Sequence, residues 1–191
     1  MHRLALALGA LTLVAPLALA QTSTWNIDPA HSSVDFTVKH MSLSNVHGHF
    51  GAIKGSITMN DADITKSSVT VTIDTTTVDT GVQMRDNDLK SPNYFDVAKF
   101  TTATFASTSV SGGGGHLTIN GNLTLHGVTK PVTLDVEGPT GPVNGMDHKP
   151  HVGFSATTTL NRKDFGIGAN TPDNVVSNEI RLTIDLDAAK Q

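Results

Sequence analysis

The stretch His116–Glu137, HLTINGNLTLHGVTKPVTLDVE, decides the fold more directly than any other part of the sequence. Apolar and polar residues alternate over His116–His126 and again over Lys130–Glu137. Strict period-two alternation is typical of β-strands with one buried and one solvent-exposed face. The connection His126–Lys130 is short and contains glycine, so we expect an antiparallel hairpin. Pro131 has no N–H group, and we expect it at the start of its strand, where no ladder hydrogen bond is lost.

The same alternation recurs along the chain. Threonine is frequent, and no long segment has the 3.6-residue period of an amphipathic helix, so the sequence predicts an all-β protein. About eight mostly antiparallel strands are expected, the further ones near residues 25–28, 33–41, 46–59, 68–79, 100–108, 152–160 and 176–186. Eight up-and-down strands close into a barrel wide enough for one small ligand. A two-sheet sandwich is the alternative.

Three interruptions of the pattern carry information. Apolar residues change from even to odd positions at Gly51-Ala52, which indicates a β-bulge or a sharp strand bend. Thr80 can N-cap one short helix, Gly81–Lys90, which must stop before Pro92. Gly138–Pro150 is rich in glycine and proline, and we expect it to be the longest irregular loop.

The N-terminus has the composition of a secretory signal peptide. A basic start, Met1–Arg3, precedes the apolar run Leu4–Val14, and Ala18–Ala20 has the small-x-small pattern of a cleavage site. The run is too short to span a membrane, and a buried N-terminal helix is the alternative. We therefore expect cleavage after Ala20, a single mature domain over 21–191 with no integral membrane segment, and export to a bacterial periplasm. The absence of cysteine rules out disulfides and a lipoprotein anchor.

Charge and motifs exclude several function classes. Thirteen basic and 17 acidic residues give a net charge of −4, which argues against nucleic-acid binding and against a strongly basic membrane-docking face. Gly153–Thr157 lacks the second glycine of a nucleophile elbow, and there is no cysteine nucleophile and no nucleotide-binding loop. The sequence therefore predicts no catalytic residues, no cofactor and no enzymatic activity.

Histidines are the candidates for a metal site. His47 and His49 share one strand face, and Asp147–His151 contains an aspartate and two histidines. Tight zinc sites need three or four converging ligands with second-shell support, which neither group supplies alone. Surface or loop histidines are the favoured interpretation, so no metal site is predicted.

Arginines are rare after the N-terminal segment and are therefore informative. Arg85 lies beside Asp86 on the short helix, and Arg162 follows a strand end. One interpretation is a structural Arg–Asp pair that ties helix to turn. The other, equally weighted, is a barrel mouth where arginines grip a phosphate-like head group by bidentate hydrogen bonds. His40 falls on an apolar face, where it is either an interior histidine or a contact for a head group. The candidate mouth residues are Arg85, Asp86, Asn161, Arg162, Asp164 and His40.

Several segments resemble the YceI-like family of periplasmic polyisoprenoid-binding proteins. They follow the order of the family's motifs and span the expected mature chain: WNIDPAHS (25–32), FTVKHM (36–41), VHGHF (46–50), Arg85-Asp86 with Leu89–Ser91 and Tyr94–Asp96, LTLHGVTKPV (123–132) and NRKDFG (161–166). The resemblance implies a lipocalin-like antiparallel barrel whose apolar interior holds a long isoprenoid or fatty chain, often in a homodimer.

Two main hypotheses follow. In the first, the protein carries or scavenges an amphiphilic lipid whose tail lies inside the barrel. The residues predicted to line this tail site are Phe36, Val38, Phe50, Leu89, Leu125, Phe154 and Leu182. In the second, the barrel is packed shut, and a ligand-free interaction or stress-response domain acts through its surface. A metal-binding role ranks third. The interior volume separates the first two hypotheses, because aromatic side chains that fill the barrel leave no room for a tail.

Overall fold

The computed structural model describes residues 22–191. It contains ten strands, one α-helix and three 3-10 turns. The strands are β1 (Thr22–Ile27), β2 (Ser33–His40), β3 (Ser44–Phe50), β4 (Ile53–Asn60), β5 (Ser68–Asp74), β6 (Thr102–Gly113), β7 (His116–Leu125), β8 (Val128–Asn144), β9 (Pro150–Asn161) and β10 (Val176–Lys190); the helix is α1 (Gln83–Lys90), and the 3-10 turns are Ile64–Lys66, Thr75–Thr77 and Arg162–Phe165. The predicted signal peptide and its cleavage site lie outside the described residues. No helix in the described part is long and apolar enough to cross a membrane.

The ten strand segments form a closed, eight-stranded antiparallel barrel, in which two of the eight strand positions are each shared by two segments. β1 and β2 follow one another along the same edge of β10, with Ile27 opposite Ala188 and Ser33 opposite Asp185. β3 and β4 likewise follow one another, pairing with β2 and β1 respectively. Every other neighbour in the ring is also a neighbour in sequence. The predicted eight-stranded meander barrel is therefore confirmed.

The predicted bend at Gly51-Ala52 is where the chain passes from β3 to β4. Ala52 has a φ of 51°, and beyond it the strand pairs with β5 as well as β1. Among residues 22–191, β3 has no such second strand partner, and its outer edge forms an isolated bridge between His49 and Asp79. The Thr75–Thr77 turn, the following residues and α1 occupy this side of the wall.

The hairpin of β7 and β8 is confirmed, with a shorter turn than expected. Only His126 and Gly127 connect the strands, with φ angles of 52° and 75°, as in the tight turns that match strand twist. Pro131 lies inside β8 opposite Asn122 rather than at the strand's start. Antiparallel pairs alternate between hydrogen-bonded and non-hydrogen-bonded, and counting from the turn shows that Asn122 and Pro131 form a non-hydrogen-bonded pair. The other edge of β8 joins β9 only from Asp135 onward, so proline costs no ladder bond.

Two other expectations were wrong. Gly138–Pro150 is not one long loop, because β8 continues to Asn144 and pairs with β9 through two register shifts; glycines and prolines are accommodated there as strand irregularities. Thr80 does not cap the helix, which begins at Gln83 after Val82 without a side-chain cap bond. The helix does stop at Lys90, before Pro92, as predicted.

The turns divide into two groups at opposite ends of the barrel. The helix end carries α1, the β2–β3 turn, the β7–β8 turn and the Arg162–Phe165 turn, and the opposite end carries the β6–β7 and β8–β9 turns. A cluster around Phe36, Phe50 and Ile53 packs at the helix end. A larger cluster around Trp25, Phe105 and Val152 runs along the barrel.

Candidate functional site

The barrel interior holds two adjoining cavities. Their volumes are about 110 and 100 Å³, and both have walls formed by Val34, Ile73, Leu123 and Leu182. The larger cavity occupies the middle of the barrel, and the smaller one leads toward the helix end. Because the cavities adjoin, they offer one elongated space along the barrel.

The inward-facing side chains confirm that this space is not filled by protein. On β10, Ile180, Leu182, Ile184 and Leu186 alternate inward and stay only half-buried, whereas Ala188 is fully buried at 0% exposure. Side chains in a core of normal density are covered by their neighbours. These four retain accessible surface because they border the cavities, so the barrel is not packed shut.

The walls are apolar, and their polar side chains are already paired. Thr158 is the polar residue of the larger cavity, and its hydroxyl donates to the carbonyl oxygen of Thr133 at 2.8 Å. In the smaller cavity Thr75 donates to the carbonyl oxygen of Phe100 at 2.6 Å. A phosphate or carboxylate placed inside would lose its water without gaining a free hydrogen-bond donor, which is costly. The cavities therefore suit a hydrocarbon chain.

Five of the seven predicted tail-lining residues border the cavities. They are Phe36, Phe50, Leu125, Phe154 and Leu182. Val38 is half-buried and Leu89 packs against the helix-end cluster, and neither borders the cavities. The prediction missed other lining residues of the same alternating phase, among them Val34, Ile57, Ile73, Phe105, Leu134 and Ile184.

Aromatic side chains close the smaller cavity toward the helix end. The ring centroids of Phe36 and Phe50 are 5.7 Å apart, and Phe95 packs edge-on against Phe50 at 5.4 Å. Phe165 and Ile167 are buried beside them. Phe95 follows α1 and comes from the Tyr94–Asp96 segment, so the helix region supplies part of this closure.

Arg162 borders the smaller cavity but has no donor free for a ligand. It is only 4% exposed. Its Nη2 lies 2.8 Å from the carbonyl oxygen of Thr171 and 2.9 Å from that of Val176. The guanidinium also donates to the carbonyl oxygens of Ile167, Gly168 and Ser177 and to the Asp173 carboxylate. These six acceptors engage its five N–H groups, so the geometry contradicts a head-group role and supports the structural interpretation.

Arg85 and Asp86 both bind Thr80. Arg85 donates from Nε to the Thr80 hydroxyl at 2.7 Å and from Nη2 to its carbonyl oxygen at 2.8 Å. Asp86 accepts from the backbone N–H of Thr80 at 2.9 Å and from its hydroxyl at 2.5 Å. The two side chains thus hold α1 against the preceding segment, which is itself hydrogen-bonded to β3 through Asp79 and His49. This geometry also supports a structural role.

The other three mouth candidates are exposed. His40 is the last residue of β2, opposite Ser44 and Val176, and it faces solvent. The expectation of an interior histidine was wrong because β2 runs past the cavity there. Asn161 and Asp164 are also exposed at the helix end. Their predicted contacts with a head group stay a prediction.

Two histidines of the candidate metal groups, His47 and His151, contact polar side chains of the barrel's outer face. His151 lies between two carboxylates, with Nδ1 2.6 Å from Asp187 and Nε2 3.1 Å from Asp147. The bond to Asp187 and then that to Asp147 raise the pKa of His151 above its usual value. His47 contacts the Thr37 hydroxyl at 3.0 Å. Among residues 22–191 no three histidine or carboxylate side chains are arranged to hold a metal ion.

Solved structures with the same fold include three informative neighbours. BcnA of Burkholderia cenocepacia superposes with a TM-score of 0.74 at 23% identity, covering 84% of this chain and 98% of BcnA. The YceI protein of Campylobacter jejuni gives 0.72 at 31% identity, covering 80% and 90%. A polyisoprenoid binding domain from Saccharophagus degradans gives 0.65 at 17% identity, covering 87% and 98%. The first and third likenesses show the fold alone.

Sequence comparison reaches further. A UPF0312 protein of Pseudomonas paraeruginosa is 36% identical over 191 residues, covering 98% of this chain and 96% of the relative. A UPF0312 protein of Vibrio parahaemolyticus is 36% identical over 176 residues, covering 91% and 92%. The sequence profile of the YceI-like domain matches residues 25–188. With this match across nearly every described strand, the chain belongs to the YceI-like family.

Proposed function

We propose that this protein binds a long-chain amphiphilic lipid with its tail inside the barrel and carries it through the periplasm after export. The ligand class is a polyisoprenoid or its phosphate, or a fatty-acid derivative. The observation that carries the proposal is the elongated apolar cavity, whose wall hydroxyls and Arg162 are all paired within the protein. The polyisoprenoid binding domain of Saccharophagus degradans, which shares the fold, supports the choice of tail.

The energetics define what such a carrier does. Moving forty apolar carbons from water at about 0.8 kcal/mol each would release about 32 kcal/mol, more than the roughly 21 kcal/mol at which non-covalent affinity saturates. The tail therefore exchanges with a membrane or micelle and not with water. Transfer between two apolar surroundings is nearly neutral, so cavity length and contacts outside the cavity determine selectivity.

The lining also favours binding over catalysis. General acid–base chemistry needs a titratable side chain within hydrogen-bond reach of the reacting group. The two cavities are bordered by no Asp, Glu, His, Lys, Cys, Ser or Tyr side chain in the described chain, and Arg162 is fully engaged. We accordingly propose a binding protein without an enzymatic step.

Native mass spectrometry tests the proposal directly. The protein is expressed with its N-terminal segment, purified from the periplasm without detergent, and weighed. A co-purified adduct with the mass of a prenyl or fatty chain is expected. A clean mass that stays unshifted when octaprenyl and fatty-acid ligands are offered would contradict the proposal.

A cavity-filling variant locates the adduct. Ala156 borders the larger cavity, and Ala156→Phe would place a ring in the tail's path. Ala106 lies on β6 with an exposed side chain, so Ala106→Phe adds the same ring outside the barrel. We expect Ala156→Phe to lose the adduct and Ala106→Phe to keep it. Equal adduct levels in both variants would place the lipid elsewhere.

A further inference from the structure

The exposed large apolar side chains gather at one end of the barrel. Five of the seven in the described chain are at the helix end: Met41, Leu43, Val82, Met84 and Val175. We refer to these five as the apolar rim. Leu43 and Met84 are the most prominent, at 81% and 82% exposure. The other two, Val143 and Met146, lie at the opposite end around the β8–β9 turn.

Backbone contacts link parts of the rim. The N–H of Met41 donates to the carbonyl oxygen of Val175 at 2.8 Å, and the N–H of Leu43 donates to that of His40 at 3.0 Å. The chain just before α1 is bonded to β3, since Asp79 and His49 exchange backbone hydrogen bonds of 2.9 and 3.0 Å. Val82 and Met84 follow three and five residues after Asp79. The rim therefore spans the β2–β3 turn and the start of α1.

The barrel wall beside the rim is the part held least by strand pairing. Within the described residues, β3 forms a ladder with β2 alone, and its other edge contacts Asp79 and the Thr75–Thr77 turn. α1 has no fully buried residue. Segments with few buried apolar contacts open at lower free energy than ladders do. The smaller cavity ends beneath this wall, at Phe36, Phe50 and Phe95.

We propose that the apolar rim docks the protein on the surface of a zwitterionic lipid bilayer, so that a tail passes between bilayer and cavity without crossing water. This inference rests on the proposed function and names the surface that would serve it. A long tail that detached into solvent would first have to expose its whole apolar length, which makes that route extremely slow. Contact between membrane and cavity entrance removes this barrier.

The charges near the rim favour a neutral bilayer as the occupant. Lys39 is exposed beside the β2–β3 turn, while Asp79 and Asp88 are exposed on the helix side. With a net charge of −4, the chain as a whole does not attract anionic lipids. Binding by apolar insertion should therefore change little between low and high salt.

Vesicle flotation tests the proposal with a matched control. The protein is mixed with phosphatidylcholine vesicles, and the floating fraction is measured for wild type, Leu43→Asp/Met84→Asp and Val143→Asp/Met146→Asp. Both double variants add two carboxylates at exposed apolar positions, one pair on the rim and one at the opposite end. We expect the rim variant to bind about tenfold more weakly or worse, since burying even one such side chain changes affinity by about that factor, and the control to match wild type.

Several results would overturn the proposal. They are a wild type that does not float, an equal loss in both variants, or a rim variant that only dissociates a dimer while flotation is unchanged. Uptake of a water-soluble short-chain fluorescent fatty acid, measured without vesicles, tests the proposed function separately. A protein that takes up the probe but does not float keeps the carrier function and loses the docking surface. A protein that floats but excludes the probe keeps the docking surface and loses the carrier function.

Discussion

Replacing Arg162 with alanine should destabilise the fold and should not selectively weaken lipid binding. The guanidinium is buried and donates to five carbonyl oxygens of residues 167–177, so it organises the chain between the Arg162–Phe165 turn and β10. Alanine would leave those oxygens without their donor. The head-group interpretation predicts the opposite, an intact fold with reduced affinity.

The size of the effect follows from the contacts. A hydrogen bond to a charged group contributes about 1.5–3 kcal/mol, so five would sum to about 7.5–15 kcal/mol. This sum is an upper bound, because most of residues 169–175 are exposed and water can reach some of the freed oxygens. Removal of one partner from a buried charged network typically costs about 3–5 kcal/mol. At about 2–4 °C per kcal/mol for a domain of this size, the midpoint of thermal unfolding should fall by roughly 10 °C or more.

Chemical denaturation and thermal unfolding of matched variants measure this. Arg181→Ala removes an exposed arginine from β10 and should change the free energy of unfolding by about 0.5 kcal/mol or less. Arg162→Lys keeps the charge but offers three donors in place of five, so its stability should fall between wild type and Arg162→Ala. An Arg162→Ala protein with wild-type stability and weaker binding of pyrophosphate- or carboxylate-headed lipids would refute the structural interpretation.

Two further predictions concern the wall and the outer surface. The two aspartate partners of His151 raise its folded-state pKa, so the ion pairs stabilise the fold fully below pH about 6.5, and this stabilisation is lost as the pH rises through the folded-state pKa. His151→Gln should therefore lower the thermal unfolding midpoint at pH 5.5 and change it little at pH 9. Equal shifts at both pH values would contradict this. A Cβ at Gly48 would lie 2.3 Å from Cζ of Phe36, so Gly48→Ala should lower the free energy of unfolding by about 1–3 kcal/mol. A Cβ at Gly51 meets nothing within 4 Å, so Gly51→Ala should be nearly neutral. Similar denaturation midpoints for the two variants would show that the Phe36 ring moves freely.

The parts of the fold that depend on local chemistry could be predicted from sequence. The alternation around His126-Gly127 specifies a hairpin because both strands and their turn lie within about twenty residues, and the phase change at Gly51-Ala52 is visible without a partner strand. The role of Arg162 could not be predicted. Five of its six acceptors are backbone carbonyls, up to 15 positions away, and every sequence has carbonyls. Likewise, His40 has the alternation of an inward residue, but only the barrel's height shows that β2 extends past the cavity.

The alternation of apolar residues alone does not reveal the cavity, for a related reason. Val34 and Ile184 alternate in the same way whether they meet other side chains or border an empty space. What differs is the distance to the opposite wall, which depends on how many strands close the ring and on how far they tilt. The interior of an eight-stranded barrel with a bulky residue at every inward position would be filled by side chains. Here the small residues Ala103, Ala156 and Thr158 lie at inward positions. These small residues are a signal that sequence reasoning could have used.

A lining of this kind has a consequence for specificity. In an apolar pocket, one methylene changes affinity by about 10–200-fold, so the length and shape of the tail affect binding. With the donors of Thr75, Thr158 and Arg162 already paired, the walls offer no free donor to a phosphate or a carboxylate. Selection among head groups then falls to side chains outside the cavity, where Asn161 and Asp164 stand exposed at the helix end. Exchanging those two for alanine should alter head-group preference while tail uptake is retained, which separates the two halves of recognition.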